Sequence, residues 1–255
     1  MNPDNSLTPP LIPGHPVFHH ATIDSTNRWA RSQIEKGTLN HGAVVVTEEQ
    51  TKGRGRRGRA WYTLPHQSLA MSLVLDASSL PRLSRLSILA AVSARRALCS
   101  LDVQDVRLKW PNDLMRGDRK IGGILVETAV CPNGERRHVL GLGINLTLDG
   151  ASLPEDLKEI AGSAELSGGK AHRDALLAAF VAEMDRALSE SGTEEDRERG
   201  EEYREASWLT GRRVTMEIDG KSISGIITDI TGDGDPIIDG AMHRGEAVRL
   251  LQVEA

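Results

Sequence analysis

The most concentrated chemistry in this sequence lies in the heptapeptide GRGRRGR, which runs from Gly53 to Arg59. The surrounding residues 51–75 contain no aspartate or glutamate but carry five cations, which are Lys52, Arg54, Arg56, Arg57 and Arg59. Such a concentration of positive charge repels itself unless an anion neutralises it. Arginine forks grip phosphate or carboxylate, and the interspersed glycines let the backbone approach the same ligand. The heptapeptide therefore predicts a loop that orders around a phosphate-bearing ligand.

Other interpretations of this loop fit its context less well. A G-x-G-x-x-G dinucleotide loop needs a helix at its third glycine, whereas Pro65 interrupts the residues that follow Gly58. A P-loop needs Lys followed by Ser or Thr where this chain has Arg59 and Ala60. An RNA-binding arginine-glycine tail is long and repetitive, whereas this loop joins two strand-like segments. A solvated basic turn needs no ligand at all, and it stays open as the plainest alternative.

Composition limits the class of protein. The chain has 255 residues, 39% of them hydrophobic, and a formal net charge of −5. A chain of this size and composition can bury a substantial core. Its net negative charge is not expected to attract nucleic acid. The two cysteines, Cys99 and Cys131, form no C-x-x-C pair, which favours a reducing, cytoplasmic setting. No apolar run is long enough to predict a membrane span, and residues 1–16, with five prolines, are predicted to be a disordered arm.

The elements on either side must position the basic loop. GAVVVTEEQ precedes it and SLAMSLVLD follows it, and both are runs typical of strands. Farther upstream, a short strand leads into a helix that Asp24, Ser25 or Thr26 can cap and that Gly37 can end. Apolar residues recur at helical spacing between Leu83 and Leu101, which predicts an amphipathic helix covering one face of a sheet.

The remaining segments predict a meander, two helices and a small β domain. Three extended runs in residues 106–146 are separated by turn residues, so these strands are expected to be antiparallel. Helices are predicted over residues 172–190 and 193–208, and the second is so highly charged that it should face solvent. From Gly211 onward short β runs alternate with turns, as in a small barrel.

Several separate motifs resemble those of the biotin protein ligases. These are DSTNRWA, GRGRRGRAW, KWPNDL, DRKIGGILVE, GLGINL and HRGEAVRL, in that order. Each motif is weak alone, but their order and spacing cover nearly all of the chain after the predicted arm. The resemblance is to the short form of the family, without an N-terminal DNA-binding domain, so no operator binding or repressor role is expected.

The resemblance implies a fold of the α+β class. A mostly antiparallel sheet packed with helices, similar to the catalytic core of class II aminoacyl-tRNA synthetases, is expected over residues 17–207. A Src-homology-3-like β-barrel is expected over residues 208–255. The implied activity is that of an ATP-dependent biotin ligase, which forms biotinyl-5′-adenylate and then biotinylates a lysine of a biotin carboxyl carrier domain. Biotin, ATP and Mg²⁺ are the small molecules expected.

By motif match, the resemblance also implies roles for individual residues. The ureido end of biotin is expected at the turn of DSTNRWA and the end of the following strand, at Ser25, Thr26, Asn27 and Gln50. The loop residues Arg54, Gly55 and Arg56 match contacts to biotin and to the adenylate phosphate. Helix capping alone would also explain the Ser25-Thr26 pair, and both roles are compatible.

Lys120 matches the lysine that lies between the biotin carboxylate and the α-phosphate. With Arg54 and Arg56 it is the predicted catalytic set, since cations at this junction offset the repulsion between two anions. Gly123 is expected beneath biotin because a glycine there permits close approach. Without the motif, Lys120 would be interpreted only as an exposed lysine beside a hairpin turn.

The adenylate and metal residues follow from the same motifs. Contacts to ATP or the adenylate are expected from Arg59, Trp61, Asn112 and Asn145 as well as from the predicted catalytic set. Trp61 could equally be a core residue. Asp113 is the candidate for Mg²⁺, which prefers carboxylate oxygen, although Asn112 and Asp113 could also form a simple turn.

The sequence also departs from the family pattern. The common W-x-S-P-x-G is WYTLPHQ in this chain, and the residues that clamp adenine after GLGINL cannot be assigned. A lipoate-type ligase and a non-catalytic RNA-binding module that uses the basic loop are the alternative functions. No nucleic-acid or membrane partner is expected, and a homodimer is a further possibility that the sequence leaves open.

Overall fold

The structure is a computed structural model that describes residues 12–78, 83–149, 153–244 and 248–254. The helices in these residues are Thr26–Glu35 (α1), Leu83–Cys99 (α2), Glu155–Lys158 (α3), Gly169–Ser189 (α4) and Glu194–Glu205 (α5). The strands are Val17–Ile23 (β1), Val44–Gln50 (β2), Ser68–Asp76 (β3), Val106–Lys109 (β4), Asp113–Arg116 (β5), Arg119–Val130 (β6), Arg136–Asn145 (β7), Arg213–Ile218 (β8), Lys221–Ile230 (β9), Pro236–Ile238 (β10), Ala241–Met242 (β11) and Val248–Val253 (β12).

A seven-stranded sheet, in the order β1-β2-β3-β7-β6-β5-β4, is the larger of the two sheets. Only β1 and β2 pair in parallel, because helix α1 provides the crossover between them. The β2–β3 pair and the β3–β7 pair are antiparallel, as are all pairs of the meander from β4 to β7. The α+β class, the mostly antiparallel sheet and the antiparallel meander are therefore confirmed. The meander has four strands rather than the three predicted, because a turn at residues 110–112 divides the first run into β4 and β5.

Helices cover both faces of this sheet. Helix α1 places Ala30 and Ile34 against Val45 and Val139 on one face. Helices α2 and α4 cover the other face in a larger core cluster. The apolar spacing that predicted α2 is thus explained by burial, since most of its side chains from Leu86 onward are removed from water.

Helix α5 was expected to face solvent, but some of its side chains are buried. Arg199 is fully buried, and its guanidinium bonds to Glu190 and faces Glu183. Tyr203 is also buried, and burial raises the pKa of its hydroxyl. The prediction was wrong for this face because a charge run does not show which arginine finds carboxylates on a neighbouring helix.

A second, five-stranded antiparallel sheet follows, in the order β11-β10-β9-β8-β12. The sheet is open in the described residues, so closure into a Src-homology-3-like barrel stays a prediction. Residues 245–247 of the HRGEAVRL motif lie outside the described residues. The indole nitrogen of Trp110 donates a 2.8 Å hydrogen bond to the carbonyl of Gly234 in this part of the chain. That bond ties the β9–β10 turn to the segment just before β5.

The beginning of the predicted arm lies outside the described residues, which start at Ile12. Ile12 is buried in the main core, and His15 bonds through Nδ1 to the carbonyl of Gly42 at 2.7 Å. The last residues of the predicted arm therefore pack against the domain. Across the described part of the chain, no helix is both long and apolar enough to cross a membrane.

Candidate active site

A cavity of about 640 Å³ lies on the face of the large sheet that carries α1. The site residues predicted from the sequence all lie in its lining, and they are Ser25, Thr26, Asn27, Gln50, Arg54, Gly55, Arg56, Arg59, Trp61, Asn112, Asp113, Lys120, Gly123 and Asn145. The structure thus brings together residues from five separated motifs. Their individual roles stay predictions at this point.

Glycines on two adjacent strands form part of the floor of the cavity. Gly143 on β7 and Gly123 on β6 stand side by side in its lining, and Ala70 on β3 pairs with Gly143 on the other side. A methyl group at Gly143 would lie only 2.6 Å from the indole of Trp61. The floor is therefore low enough for flat groups to rest directly on the backbone, and in this structure the Trp61 ring does so.

The N-terminus of α1 forms one end of the cavity. Ser25 is the N-cap residue in extended conformation, but its side chain makes no capping hydrogen bond. Gln50 replaces it, because its Oε1 accepts from the Thr26 amide at 2.9 Å and from the Thr26 hydroxyl at 3.3 Å. Capping by Ser25 was therefore a wrong expectation, and the Ser25 hydroxyl remains at the cavity wall.

Asn27 is held from several directions. Its Oδ1 accepts a 2.6 Å hydrogen bond from the Ser72 hydroxyl. Its Nδ2 donates to the Leu125 carbonyl at 3.2 Å and to Glu127 Oε2 at 3.0 Å. Both amide hydrogens are therefore used within the protein. Asn27 can present its Oδ1 to a ligand, but its main effect is to seat α1 on the sheet.

The basic loop is a closed hairpin in this structure. The Gly55 amide bonds to the Arg59 carbonyl at 2.8 Å, and the Trp61 amide bonds to the Gly53 carbonyl at 2.9 Å. A side chain at Gly53 would collide with the backbone of Trp61, so glycine is required there. At the tip, Arg57 has a φ of 58°, in the left-handed region. These contacts direct the loop toward the cavity.

A β-bulge carries Lys120 to the cavity. Leu114 pairs with Gly122 and Met115 pairs with Lys120, so Ile121 is the additional residue in β6. Lys120 therefore lies on the same face as Gly123, and a methyl group at Gly123 would stand 3.3 Å from Lys120 Nζ. Lys120 Nζ is 2.5 Å from Asp113 Oδ1 and 5.7 Å from the centre of the Trp61 ring.

Asn112 and Asn145, two of the predicted nucleotide contacts, already donate side-chain hydrogen bonds to backbone carbonyls. Asn112 Nδ2 donates to the Ile124 carbonyl at 2.7 Å, and Asn145 Nδ2 donates to the Gly162 carbonyl at 2.8 Å. These bonds hold the segments that border the cavity. Arg56 carries a partly buried positive charge. Burial and the neighbouring charge of Arg57 lower the pKa of its guanidinium, whereas the charge of Asp113 opposes this effect.

Several cavity-lining or supporting residues were not found from the sequence. Trp208 lies between two cations, with Lys109 Nζ 4.5 Å and Arg212 3.7 Å from the ring centre. Burial lowers the pKa of Lys109, and the charges of Lys120 and Arg212 act in the same direction. Lys109 stands in the KWPNDL motif, but Trp208 lies far from it along the chain, and nothing in the sequence linked the two residues.

Solved structures of biotin protein ligases share this fold. The biotin protein ligase of Aquifex aeolicus in complex with biotin and ATP has a TM-score of 0.76 and 23% identity, with coverage of 92% of this chain and 99% of that chain. A point mutant of the same organism's protein, in complex with biotin, has a TM-score of 0.78 at 22% identity and covers 93% of this chain and 98% of that one.

Sequence comparisons point in the same direction. A model of the biotin/lipoate A/B protein ligase family matches residues 20–145, which is just under half of the chain. Over these residues the chain is similar to that family. The Bacillus subtilis bifunctional ligase/repressor BirA is 30% identical over 160 residues, which is 62% of this chain and 49% of that protein. The Mycobacterium tuberculosis biotin--[acetyl-CoA-carboxylase] ligase is 28% identical over 226 residues, 86% of this chain and 81% of that protein. The chain spans about half the length of the first relatives it matches.

Proposed function

We propose that this protein is an ATP-dependent biotin protein ligase. In the first step, a biotin carboxylate oxygen attacks the α-phosphorus of ATP, the bond from that phosphorus to the β-phosphate oxygen breaks, and pyrophosphate leaves. In the second step, a carrier lysine amine attacks the acyl carbon of biotinyl-5′-adenylate. The carbon–oxygen bond to AMP breaks, the amine loses a proton, and the amide forms.

The observation that carries this proposal is that cations converge over a part of the cavity whose floor is glycine backbone. Arg54, Arg56 and Lys120 come from two distant motifs, yet they line one cavity whose floor includes Gly123 and Gly143. A carboxylate and a triphosphate repel each other, so cations at their junction stabilise the transition state most. A floor without side chains lets both ligands lie along the same strands.

Each proposed role depends on where the residue lies in the cavity. Ser25 and Thr26, at the N-terminus of α1, offer hydroxyl oxygens to the ureido end of biotin, and Gln50 holds the Thr26 amide in place. Arg54 and Arg56 hold the adenylate phosphate, and Lys120 neutralises charge between carboxylate and α-phosphate. The nucleotide lies toward Trp61 and Asn145.

Mg²⁺ is proposed at Asp113. The described residues contain no group of three or more His, Cys, Asp or Glu side chains that could hold a metal by themselves. A single carboxylate nevertheless fits Mg²⁺, which binds one or two carboxylates together with substrate phosphates. Bound there, Mg²⁺ supplies charge neutralisation to the phosphates. Asp113→Asn should raise the Mg²⁺ concentration for half-maximal activity by about tenfold or more.

The proposed partner is a biotin carboxyl carrier domain, and the proposed setting is the cytoplasm. The domain limits of 17–207 and 208–255, and barrel closure of the second domain, are also proposals. Pairing of two copies stays a prediction. The repressor activity printed in the names of some relatives is not extended to this chain.

Exchange of labelled pyrophosphate into ATP tests the function. Exchange that depends on biotin, followed by label transfer to a carrier domain, is the expected result. Folded protein without biotin-dependent exchange would contradict it. Because the family model covers biotin and lipoate ligases together, calorimetric titration with each vitamin is the matched control, and preferential lipoate binding would favour the lipoate-type alternative.

A further inference from the structure

Glu127 links the basic loop to helix α1 from behind the cavity. One carboxylate oxygen, Oε2, accepts from Asn27 Nδ2 at 3.0 Å. The other, Oε1, faces Arg31 at 3.1 Å and Arg54 at 3.4 Å. Glu127 itself is not among the residues that line the cavity. Any effect it has on a ligand must therefore pass through Asn27 or Arg54.

The contact with Asn27 orients an amide at the cavity wall. Ser72 in β3, Gly141 in β7 and Leu125 in β6 stand side by side, and the Asn27 amide rests on this row. A methyl group at Gly141 would collide with that amide. Glu127 takes the remaining Asn27 hydrogen, so the orientation is determined from every side.

The contact with Arg54 is of a different kind. Arg54 lines the cavity with a side chain that is 42% exposed, while the Glu127 side chain is only 15% exposed. A phosphate in the cavity is a second acceptor for the same guanidinium. Arg54 meets the carboxylate through Nη1, so a phosphate that takes this nitrogen in a bidentate contact competes with Glu127 for it.

We propose that Glu127 is a positioning residue that holds Arg54 in the ligand-free enzyme. It thereby sets the free-energy cost of moving the Arg54 guanidinium from the carboxylate to the nucleotide phosphate. The identity of the ligand in this inference rests on the proposed function. The contact between Glu127 and Arg54 also restrains the basic loop. Arg31 shares the carboxylate but does not line the cavity, so it provides a matched control.

Glu127→Gln separates the two contacts, because glutamine keeps an acceptor for Asn27 but removes the charge that holds Arg54. The expected KM for ATP falls by about two- to fivefold, the range for a partly exposed ion pair. Biotin affinity should stay unchanged. Glu127→Ala should weaken biotin binding as well, since Asn27 then loses its acceptor. In an Arg54→Gln background, Glu127→Gln should no longer change the KM for ATP.

A ligand-free measurement keeps this inference independent of the proposed function. Limited trypsin digestion of Glu127→Gln should cleave after Arg56, Arg57 or Arg59 faster than in the wild-type protein, because the released loop opens more often. Arg31→Gln should neither speed cleavage nor lower the KM for ATP, because Glu127 then keeps its contact with Arg54. Equal effects of Arg31→Gln and Glu127→Gln, or no effect of Glu127→Gln on cleavage, would overturn the inference. Absence of exchange in wild-type protein would instead contradict only the proposed function.

Discussion

Lys120 Nζ lies 2.5 Å from Asp113 Oδ1, and the two residues come from neighbouring strands of the meander. Their ion pair holds an ammonium group over Gly123 at the floor of the cavity. The lysine is about one third exposed, so a phosphate oxygen can reach it without displacing the strands. A point charge of this kind suits oxygens that are shared between two reacting groups.

Removal of this charge should impair adenylation more than binding. In Lys120→Ala, the rate of biotin-dependent pyrophosphate exchange should fall by about 100- to 1,000-fold, as for the loss of one electrostatic stabiliser of a transition state. Biotin affinity, measured by calorimetry, should change much less. Lys221→Ala, an exposed lysine outside the cavity, is the control. Equal losses of biotin binding and exchange would show that Lys120 has a binding role instead.

The basic loop should retain the activated intermediate. Arg56 lines the cavity at the closed hairpin, where burial already lowers the pKa of its guanidinium. In Arg56→Gly, biotinyl-adenylate should leave the enzyme before the carrier lysine arrives, because the loop no longer holds the phosphate. Biotinylation of a bystander protein such as serum albumin should then rise while carrier labelling falls. Unchanged partition between the two acceptors would argue against this role.

The floor at Gly141 should not accept a side chain. In Gly141→Ala, the added methyl group would collide with the Asn27 amide and move α1 away from the sheet. Overpacking of this kind costs about 1–3 kcal/mol of folding stability. Because Asn27 lines the cavity, its displacement should also lower biotin affinity by about tenfold. Gly200→Ala in α5 is the contrasting variant, since its nearest neighbour would be 3.5 Å away. It should gain about 0.5–1 kcal/mol of stability and leave biotin affinity unchanged.

A buried ion pair away from the cavity should control acid stability. Arg173 is buried, and it contacts Glu48 as well as Asp174. Burial alone would raise the pKa of Glu48, but the hydrogen bond and charge of Arg173, aided by His19, hold it below its ordinary value of 4.5. Glu48→Gln would leave Arg173 with one fewer charge partner and should lower the free energy of unfolding by about 2–4 kcal/mol at pH 7.

The sign of the pH dependence follows from the lowered pKa of Glu48. The stability that its charge contributes is fully present above pH 4.5 and is lost as the pH falls through the folded-state pKa. Urea unfolding of wild-type and Glu48→Gln protein should therefore converge at low pH. Glu155→Gln, at a side chain that is 89% exposed, is the control and should change stability by less than about 1 kcal/mol. A constant difference between wild-type and Glu48→Gln at all pH values would contradict the assignment.

Much of the fold could be predicted from the sequence because the signals are local. Helix α2 and the meander follow from the spacing of apolar residues and from turn chemistry, and both are present in the structure. All the predicted cavity residues except Gln50 could be named because each lies in a short motif, and the structure brings all of them to one cavity. Each motif is a run of neighbouring residues, so it can be recognised in the sequence without knowledge of any long-range contact.

Other features were decided only by tertiary structure. In a regular strand, Lys120 and Gly123 would face opposite sides of the sheet, and only the bulge at Ile121 places them together. Capping of α1 by Gln50, rather than by Ser25, depends on the parallel pairing of β1 and β2. The contact of Glu127 with Arg54 spans 73 residues. Local propensity cannot encode such relationships, because they arise when strands that are distant in sequence adopt a common register.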